Sequence, residues 1–374
     1  MMNVSEKYMS RCLELAKNGK GSVAPNPMVG AVIVRDNLII GEGFHHCYGG
    51  AHAEVNAIAA VRDEALLRDA TMYVSLEPCS HYGKTPPCAG LIIQKGVPRV
   101  VVACPDPFPE IAGRGIKMLC DAGVEVVTGV MEHEAVRLNR FFMTLHKKRR
   151  PYVILKWAQS EDGFLDRKRN DRSEAPVLLS TPVTRLMVHK LRSEVQAIMV
   201  GTNTAVLDNP SLTVRYWAGN SPLRITIDNH MRIPDDARLF DGNHPALIYR
   251  KQKKRSAGED GKNSDSARLF PKENREYVMI DDSADFTEKI LADLYERNIG
   301  SLLVEGGAQL HRTFLDKDLW DELIVETAPV RLGGGVPAVD FRRYPGVRLS
   351  EVKTVPFFSS CSGSASLIEV YTRN

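Results

Sequence analysis

The chain has 374 residues, and at roughly 150 residues per domain this length predicts two domains. Hydrophobic residues make up 43% of the chain and charged residues 25%, a balance that is typical of a folded globular protein and excludes wholesale disorder. The 49 basic and 46 acidic side chains leave a net charge of +3, which argues against nucleic acid or an anionic membrane as the main partner and leaves a small anionic ligand open. No stretch approaches the roughly 18 apolar residues of a membrane span, and the first residues lack the apolar core of a signal peptide, so we expect a cytoplasmic protein.

Cysteine usage indicates free thiols or metal ligands. Six of the seven cysteines lie in the first third of the chain and one lies near its end: Cys12, Cys47, Cys79, Cys88, Cys104, Cys120 and Cys361. An odd and unevenly distributed set in a long chain without a secretion signal does not predict a disulfide framework.

The first part of the chain alternates helical and strand-like patterns. Apolar residues at helical spacing over 5–17 predict a helix, and the loop GSVAPNP separates it from the strand VGAVIV. Further helices are predicted at AHAEVNAIAAVR, CAGLIIQKG, GRGIKMLCDAG and EHEAVRLNRFFMTLHKK, and further strands at LII, TMYVSL, RVVVAC and VEVVTG. This alternation predicts a compact α/β domain that ends near residue 147.

A second α/β domain is predicted after the basic run at 146–150 and Pro151, so we set the domains at 1–148 and 149–374. Its strands are predicted at PYVILKWA, QAIMVG, LRITID, ALIY, YVMI, SLLVEG and DELIVET, and its helices around 182–192, 285–297 and 307–316. The polar stretch 250–265 is interpreted as a solvated loop. Gly306 and Gly307 precede a helical pattern, and such a helix start favours phosphate, although a tight turn explains two glycines equally well.

One pattern in the first domain predicts metal chemistry. His52-Ala53-Glu54 stands at a predicted helix start, Pro78-Cys79 follows a predicted strand, and Cys88 comes after eight more residues. One imidazole and two thiolates are good Zn²⁺ ligands, and three protein ligands leave a fourth position open for water, which is typical of catalytic zinc. The combination matches the signature of zinc-dependent base deaminases. The alternative is a closed structural site that recruits Cys104 or His81.

Glu54 is assigned a different task from His52. Residues two apart on a helix point about 200° away from each other, so the two side chains are not expected to be neighbouring ligands. We therefore expect His52, Cys79 and Cys88 to hold the metal. Glu54 then moves protons from the water to a ring nitrogen and to the departing amine.

The spacing of the two cysteines leads to a family. Base deaminases commonly have two residues between them, whereas this chain has the longer segment CSHYGKTPPC. In this feature, and in PNPMVG, GEGFHHCYGGAHAEV, LEPCSHYGKTPPC and ACPDPFPE, the first domain resembles the deaminase domain of the bifunctional riboflavin-biosynthesis deaminase-reductases. The resemblance implies a cytidine-deaminase-like α/β/α fold and a substrate site lined by Asn26, His45, His81 and Lys84. An amide can bond an aminopyrimidinone edge, and a lysine can meet a phosphate.

The second domain resembles the reductase domain of the same family through LKWAQSEDG, VGTNTAVLDNPSLTVR, VEGGAQL and APVRLGG. The resemblance implies a dihydrofolate-reductase-like α/β fold that uses NADPH. The implied NADPH contacts are Ala158, Thr204, Asp208, Gly306, Gly307, Ala308, Gln309 and Leu310. The implied contacts to a ribose phosphate substrate are Arg192, Leu212, Arg215 and Glu305, and an arginine fork suits a phosphate.

Two features of the reductase domain stay open at this point. Where the family commonly has Trp-Ile-Thr, this chain has Leu178-Leu179-Ser180, so the indole expected to stack on the cofactor is missing. Lys156 and Asp162 are both chemically able to donate the proton that accompanies hydride transfer, and the sequence does not choose between them.

The resemblance implies a bifunctional enzyme that needs Zn²⁺ and NADPH. It would deaminate 2,5-diamino-6-(5-phosphoribosylamino)pyrimidin-4(3H)-one to 5-amino-6-(5-phosphoribosylamino)uracil and then reduce the ribosyl group to ribityl. Three alternatives stay open: an active deaminase with a degenerate reductase domain, a nucleoside or tRNA deaminase with an unrelated second domain, and a structural zinc protein that only binds a nucleotide. The expected partner is the small-molecule substrate, without nucleic acid or membrane, and a homo-oligomer is left open.

Overall fold

The computed structural model describes residues 3–80, 87–108, 112–252, 274–281, 284–357 and 364–373. The chain divides into two compact units, Met1–Arg149 and Arg150–Asn374, which we call unit one and unit two. Among the described residues, no helix combines the length and apolar character needed to span a bilayer. Most of the stretch 250–265, which the sequence predicts as a loop, lies outside the described residues, and its first residues belong to a strand.

Unit one is built around a five-stranded sheet in the part of the chain described here. Its helices are α1 (Val4–Ala16), α2 (Ala53–Ala59), α3 (Cys88–Gln94), α4 (Arg114–Asp121), α5 (Glu132–Leu138) and α6 (Arg140–Lys148). Its strands are β1 (Gly30–Arg35), β2 (Leu38–Phe44), β3 (Thr71–Val74), β4 (Arg99–Val102) and β5 (Glu125–Thr128). The strand order is β2-β1-β3-β4-β5, in which β1 is antiparallel to both neighbours and β3, β4 and β5 are parallel.

Side-chain alternation along the strands gives unit one three layers. On β1, Ala31 and Ile33 pack with residues of α2, α3 and α4, whereas Val32 and Val34 pack with residues of α1, α5 and α6. Successive side chains of a strand point to opposite faces, so a strand that is apolar at every position requires cover on both sides. The predicted α/β/α architecture is confirmed.

The last predicted helix of unit one is two helices. The pattern EHEAVRLNRFFMTLHKK is broken at Asn139, which separates α5 from α6. The Asn139 side chain is buried and bonds both backbone groups of Met28: Oδ1 accepts from the Met28 N–H at 2.8 Å, and Nδ2 donates to the Met28 carbonyl at 2.9 Å. A partner 111 residues away therefore decides where the helix stops, and the local pattern does not contain it.

Unit two carries a larger, mostly parallel sheet. Its strands are β6 (Tyr152–Ser160), β7 (Phe164–Asp166), β8 (Ala197–Val200), β9 (Leu223–Ile227), β10 (Ala246–Gln252), β11 (Arg275–Asp281), β12 (Ser301–Gly306), β13 (Glu322–Ala328), β14 (Val336–Pro337), β15 (Val347–Pro356) and β16 (Ala365–Arg373). Its helices are α7 (Pro182–Glu194), α8 (Thr202–Leu207), α9 (Phe286–Glu296) and α10 (Ala308–Asp316). The main sheet of the described residues has the order β11-β10-β9-β8-β12-β6-β13-β16-β15, and β7 pairs separately with β14.

The strands predicted from sequence form the parallel part of this sheet, from β11 to β13. The antiparallel strands β16 and β15 were not predicted. On β15, only Val355 is buried, so its residues do not show the apolar run of a central strand. The core lies under the parallel strands, where Trp320, Phe314 and Leu302 are almost fully buried.

Candidate functional site

Unit one brings together the three side chains that the sequence assigns to zinc. The Nδ1 atom of His52 lies 3.2 Å from Sγ of Cys88 and 3.6 Å from Sγ of Cys79, and all three ligand atoms lie within 4.8 Å of one another. A tetrahedral zinc with bonds of about 2.0–2.3 Å separates its ligand atoms by roughly 3.5 Å. The donor set and its spacing therefore fit Zn²⁺.

Each ligand is placed at the end of a regular element. His52 occupies the residue before α2 with extended backbone, so its ring is not directed by the helix. Cys79 follows β3, and Cys88 is the first residue of α3, preceded by Pro87. The Cys88 N–H donates to Sγ of Cys79 at 3.2 Å, and the Ala89 N–H donates to the Cys79 carbonyl at 3.1 Å. The start of α3 thus holds the two cysteines against each other.

Glu54 is 3% exposed, in the first turn of α2, and faces the two cysteines. Burial, assisted by the negative charge of Cys79, raises the pKa of the Glu54 carboxyl to about 7. Hydrogen bonds from Cys88 and His52 lower the pKa of the Cys79 thiol to about 4, whereas the shared proton and burial raise the pKa of Cys88. A thiolate and a carboxyl group that can exchange a proton therefore lie side by side in this site.

Two of the four predicted substrate residues of unit one lie beside the metal ligands. The Asn26 amide Nδ2 lies 3.2 Å from Nε2 of His45, and Nδ1 of His45 lies 3.0 Å from the Ala51 carbonyl. Those partners assign the proton to Nδ1, so Nε2 accepts from Asn26. The His45 ring meets that of His52 edge-on at 5.5 Å. The other two predicted residues, His81 and Lys84, lie outside the described residues.

In unit two, the structure brings Thr204 against Gly306 and Gly307. A Cβ on either glycine would lie 3.2 Å from the Thr204 hydroxyl, and the Gly201 N–H donates to the Gly306 carbonyl at 2.9 Å. Side chains at 306 and 307 would fill this space, and Gly307 precedes α10 with backbone N–H groups at the positive end of the helix. A cradle of this kind suits a cofactor phosphate.

The remaining predicted cofactor residues lie on β6, at the end of α8 and in the first turn of α10. Ala158 is half-buried on β6, and Asp208, at the end of α8, is bound by the Arg169 guanidinium, which also binds Asp166 at 2.6 Å. Ala308 and Gln309 lie in the first turn of α10 with accessible surface, whereas the side chain of Leu310 packs in the core. Leu310 can therefore contact a cofactor mainly through its backbone.

Arg192 and Glu305, both predicted to contact the substrate, form a two-point ion pair. Nε of Arg192 donates to Oε1 at 3.0 Å and Nη2 donates to Oε2 at 2.6 Å. Burial acts to raise the pKa of the Glu305 carboxyl, but Arg192 and the nearby Lys156 outweigh it and hold that pKa below its ordinary value. Glu305 is therefore ionised in this pair.

Leu212 and Arg215 lie in the same region. Leu212 is buried and has φ = 56°, a left-handed conformation that is costly for a leucine and is concentrated at functional sites. The Arg215 side chain is exposed and donates to Ser211 at 2.9 Å, and its N–H donates to Nδ1 of His189 at 2.9 Å. Burial and the charges of Arg192 and Arg215 lower the pKa of His189 to about 4, so the ring is neutral and can accept this bond.

The structure separates the two candidate proton donors. The Asp162 carboxylate accepts from the Ser160 hydroxyl at 2.7 Å and from the N–H groups of Leu332 and Gly333 at 3.1 and 2.8 Å, which holds its pKa at about 2. The Asp162 carboxylate therefore has a structural role. Nζ of Lys156 has no such bond to any described residue and lies 3.8 Å from Oε2 of Glu326.

Sequence reasoning missed Glu326 and His189. Glu326 is 2% exposed, accepts from the Ser180 hydroxyl at 2.7 Å, and is the register partner of Ala158. A glutamate inside the apolar strand pattern LIVETA is a signal that could have pointed to it. His189 gave no comparable signal, because a histidine on a helix is common on any face. Leu178, in the place of the missing indole, is 65% exposed.

Family models match both halves of the chain. Residues 2–104 match the cytidine and deoxycytidylate deaminase zinc-binding region, and residues 151–357 match the RibD C-terminal domain. Two known relatives are the riboflavin biosynthesis proteins RibD of Bacillus amyloliquefaciens, 40% identical over 88% of this chain and 86% of the relative, and of Aquifex aeolicus, 38% identical over 90% of each.

Solved structures agree over the full length. The chain is similar to a diaminohydroxyphosphoribosylaminopyrimidine deaminase/5-amino-6-(5-phosphoribosylamino)uracil reductase of Thermotoga maritima, with a TM-score of 0.82, 35% identity and 99% coverage of both chains. It is also similar to RibD of Acinetobacter baumannii, with a TM-score of 0.81, 32% identity and 99% coverage of both. The unrelated second domain weighed from the sequence is thereby excluded, since the second half matches a reductase family.

Proposed function

This chain belongs to the RibD family of riboflavin-biosynthesis proteins and is a bifunctional, zinc- and NADPH-dependent deaminase and reductase, and on that premise we propose which residues carry its two reactions. Its first half has the cytidine-deaminase-like fold and its second half the fold of the family's reductase domain. We assign the deaminase to residues 1–148 and the reductase to 149–374. The convergence of His52, Cys79 and Cys88 beside the buried Glu54 is the observation that carries the proposal.

The deaminase acts on 2,5-diamino-6-(5-phosphoribosylamino)pyrimidin-4(3H)-one and replaces its 2-amino group with oxygen. Zn²⁺, when bound to His52, Cys79 and Cys88, supplies an open position that acidifies a water molecule. Glu54 accepts one proton from the attacking water and delivers it to the ring nitrogen. It then accepts the remaining proton of that oxygen and delivers it to the amine, so that the carbonyl forms as the bond to carbon breaks and ammonia leaves. Burial keeps its carboxyl close to the proton affinity that such a relay needs.

Residues around this centre hold the substrate. The Asn26 amide donates to and accepts from the pyrimidinone edge, and His45, fixed by the Ala51 carbonyl, keeps that amide in place. His81 and Lys84 complete the proposed site. The Lys84 ammonium pairs with the substrate phosphate.

The reductase converts the ribosyl group of 5-amino-6-(5-phosphoribosylamino)uracil to ribityl. NADPH supplies the hydride for C1 of the open-chain sugar. Gly306 and Gly307 admit the cofactor phosphates, and the other proposed contacts are Ala158, Thr204, Asp208, Ala308, Gln309 and Leu310. The task of the protein is to hold cofactor and sugar in reacting orientation.

The sugar phosphate is bound by Arg192, Leu212, Arg215 and Glu305. The fork of Arg192 is occupied by Glu305, so we assign this ion pair to the ribose and the exposed Arg215 to the phosphate. Lys156 is proposed as the proton donor because it lies beside Glu305 and Glu326. The Asp162 carboxylate instead accepts hydrogen bonds from two backbone N–H groups.

The test is to incubate the zinc-loaded protein with the diaminopyrimidine ribosyl phosphate, with and without NADPH, and to measure product masses. We expect replacement of amine by oxygen without NADPH and two further hydrogens with it. Deamination alone would identify a degenerate reductase domain. A chain without either mass change would not act on the assigned substrate.

The partners and location complete the proposal. A pyrimidine small molecule is the substrate, and neither nucleic acid nor membrane is part of the proposed function, in keeping with the net charge of +3. Cytoplasmic location is supported by the free thiols of unit one, which a reducing compartment preserves. The oligomeric state is left open in the proposal and is measured by sedimentation.

A further inference from the structure

The Glu77 carboxylate lies in a cradle of backbone N–H groups. Its Oε2 accepts from Asp106 at 3.1 Å and Gly113 at 3.0 Å, and its Oε1 accepts from Gly115 at 2.9 Å and Ile116 at 3.3 Å. Glu77 is only 4% exposed. One buried side chain therefore joins the end of β3 to two separate segments of the chain.

The negative charge of Glu77 is balanced by dipoles. Among the described residues, no lysine, arginine or histidine forms an ion pair with it. Gly113 precedes α4, so three of the four donors belong to the positive end of that helix. A buried carboxylate with four N–H partners is fully satisfied, and the loss of those bonds would leave buried donors unpaired.

This junction lies next to a proposed metal ligand. Glu77 precedes Cys79 by two residues, and its own N–H donates to the Cys104 carbonyl at 3.0 Å. A Cβ on Gly115 would lie 1.9 Å from the Pro78 carbonyl oxygen, so α4 begins in direct contact with the residue before the ligand. The backbone that presents the Cys79 thiolate is therefore fixed from both sides.

We infer that Glu77 is a positioning residue for Cys79: its carboxylate binds the start of α4 and so sets where the Cys79 sulfur stands relative to His52 and Cys88. The inference rests on the proposed ligand set. Groups that orient metal ligands typically change metal affinity by about 10–100-fold when removed.

A glutamine at position 77 would have nearly the same shape and the wrong polarity. Its amide has one acceptor oxygen, and its NH₂ group would face two backbone N–H donors. We therefore expect Glu77→Gln to release zinc to a chelator at least tenfold faster than the unmodified chain. Gly115→Ala, which displaces Pro78 while keeping the charge, is expected to act in the same direction.

The experiment measures chelator-driven zinc release and the ligand-field spectrum of the cobalt-substituted protein, both on the full chain at temperatures where it is folded. Glu125→Gln is the matched control, since Glu125 is exposed on β5 and, among the residues that the structure describes, its carboxylate pairs with Arg99 alone, at 3.4 Å. Cys79→Ser tests the ligand set itself. Glu77→Asp, which keeps the charge but is one methylene shorter, replaces Glu77→Gln should the latter fail to fold.

Faster release and an altered cobalt spectrum in the Glu77 and Gly115 variants, with wild-type behaviour of Glu125→Gln, support the inference. A lower unfolding midpoint with unchanged release and spectrum would mean that Glu77 only stabilises the fold, and this overturns it. If Cys79→Ser itself keeps zinc as tightly as the unmodified chain, the proposed ligand set fails, and the inference fails with it.

Discussion

Arg192 on α7 and Glu305 on β12 are joined by two parallel hydrogen bonds in a largely buried setting, although 113 residues separate them in sequence. In such a pair each charge needs the other, since removal of one partner leaves an uncompensated buried charge. We expect Arg192→Met to lower the free energy of unfolding of unit two by about 3 kcal/mol. Adding Glu305→Met should recover most of the lost free energy of unfolding. Reduction of the sugar should be abolished in both the single and the double variant.

Unfolding of unit two can be followed by tryptophan fluorescence, because Trp157, Trp217 and Trp320 are the only tryptophans of the chain and all lie there. Lys289→Met is the control, since Lys289 forms an exposed pair with Asp285 at 3.6 Å. If the double variant is as unstable as the sum of the single ones, the two residues do not act as a pair.

The contact between Asn139 and Met28 predicts a selective effect on the deaminase. Asn139→Ala leaves the Met28 N–H and carbonyl without their partners, which costs about 1–3 kcal/mol. Because the same loop carries Asn26, we expect a higher KM for deamination and unchanged reduction. Asn18→Ala, at an exposed position, is the control. An unchanged KM would separate this loop from the substrate site.

Burial of His311 predicts a pH-dependent stability of unit two. Its ring is 1% exposed, its Nε2 lies 3.1 Å from the Val304 carbonyl, and burial, with Lys156 nearby, lowers its pKa to about 4. The unfolded imidazole takes up a proton near pH 6.5 and the folded one only near pH 4. The contribution of His311 to stability is therefore full above pH 6.5, falls as the pH drops toward 4, and levels off below it, a loss of about 3 kcal/mol. His189, whose pKa is also lowered to about 4, acts in the same direction over the same range.

The measurement is the urea midpoint of tryptophan fluorescence between pH 7.5 and 4. His311→Gln keeps a donor for Val304 and should make this part of the curve shallower, with the contribution of His189 remaining, whereas His230→Gln, on an exposed turn, should leave the curve unchanged. Equal slopes in the unmodified chain and His311→Gln would rule out His311 as the titrating group.

Leu178 tests whether the missing indole matters. Aromatic stacking contributes about 0.5–1.5 kcal/mol, so Leu178→Trp should tighten NADPH binding by roughly two- to tenfold. Leu186→Trp places the same side chain at another exposed position, on α7, and should not change the affinity. Titration of NADPH with fluorescence detection distinguishes the two. If Leu178→Trp does not tighten NADPH binding, the nicotinamide does not lie against residue 178.

Prediction from the sequence reached furthest where a few residues with restricted chemistry, or an apolar run, determine the local structure. The proximity of His52, Cys79 and Cys88 could be predicted because metal ligation restricts residue type and spacing, while their role as ligands and that of Glu54 stay predictions. The parallel strands could be predicted because burial on both faces gives an apolar run. It failed where a distant partner decides. Asn139 stands between two helices and bonds the backbone of Met28, which is distant in sequence. The roles of Arg224 and Glu77 likewise depend on distant partners that the local pattern does not predict.

Arg224 is a residue whose burial and partners the sequence pattern does not predict. It stands in the strand LRITI, where a charged residue is expected at the surface, yet it is fully buried. Its guanidinium donates to the Arg238 carbonyl at 3.2 Å, to Asp241 at 2.9 Å and to the His244 carbonyl. These acceptors lie in the segment 238–244, which begins with a short 3-10 helix (Arg238–Phe240), and the sequence of the strand does not predict them.

We propose that one chain performs deamination through Glu54 and reduction at a separate site. The most direct test is Glu54→Gln, assayed for ammonia release, zinc content and NADPH-dependent reduction of 5-amino-6-(5-phosphoribosylamino)uracil. We predict that ammonia release is lost, at least a thousandfold, while zinc stays bound and the uracil substrate still gains two hydrogens. Ammonia release at the unmodified rate with zinc in place would contradict the account.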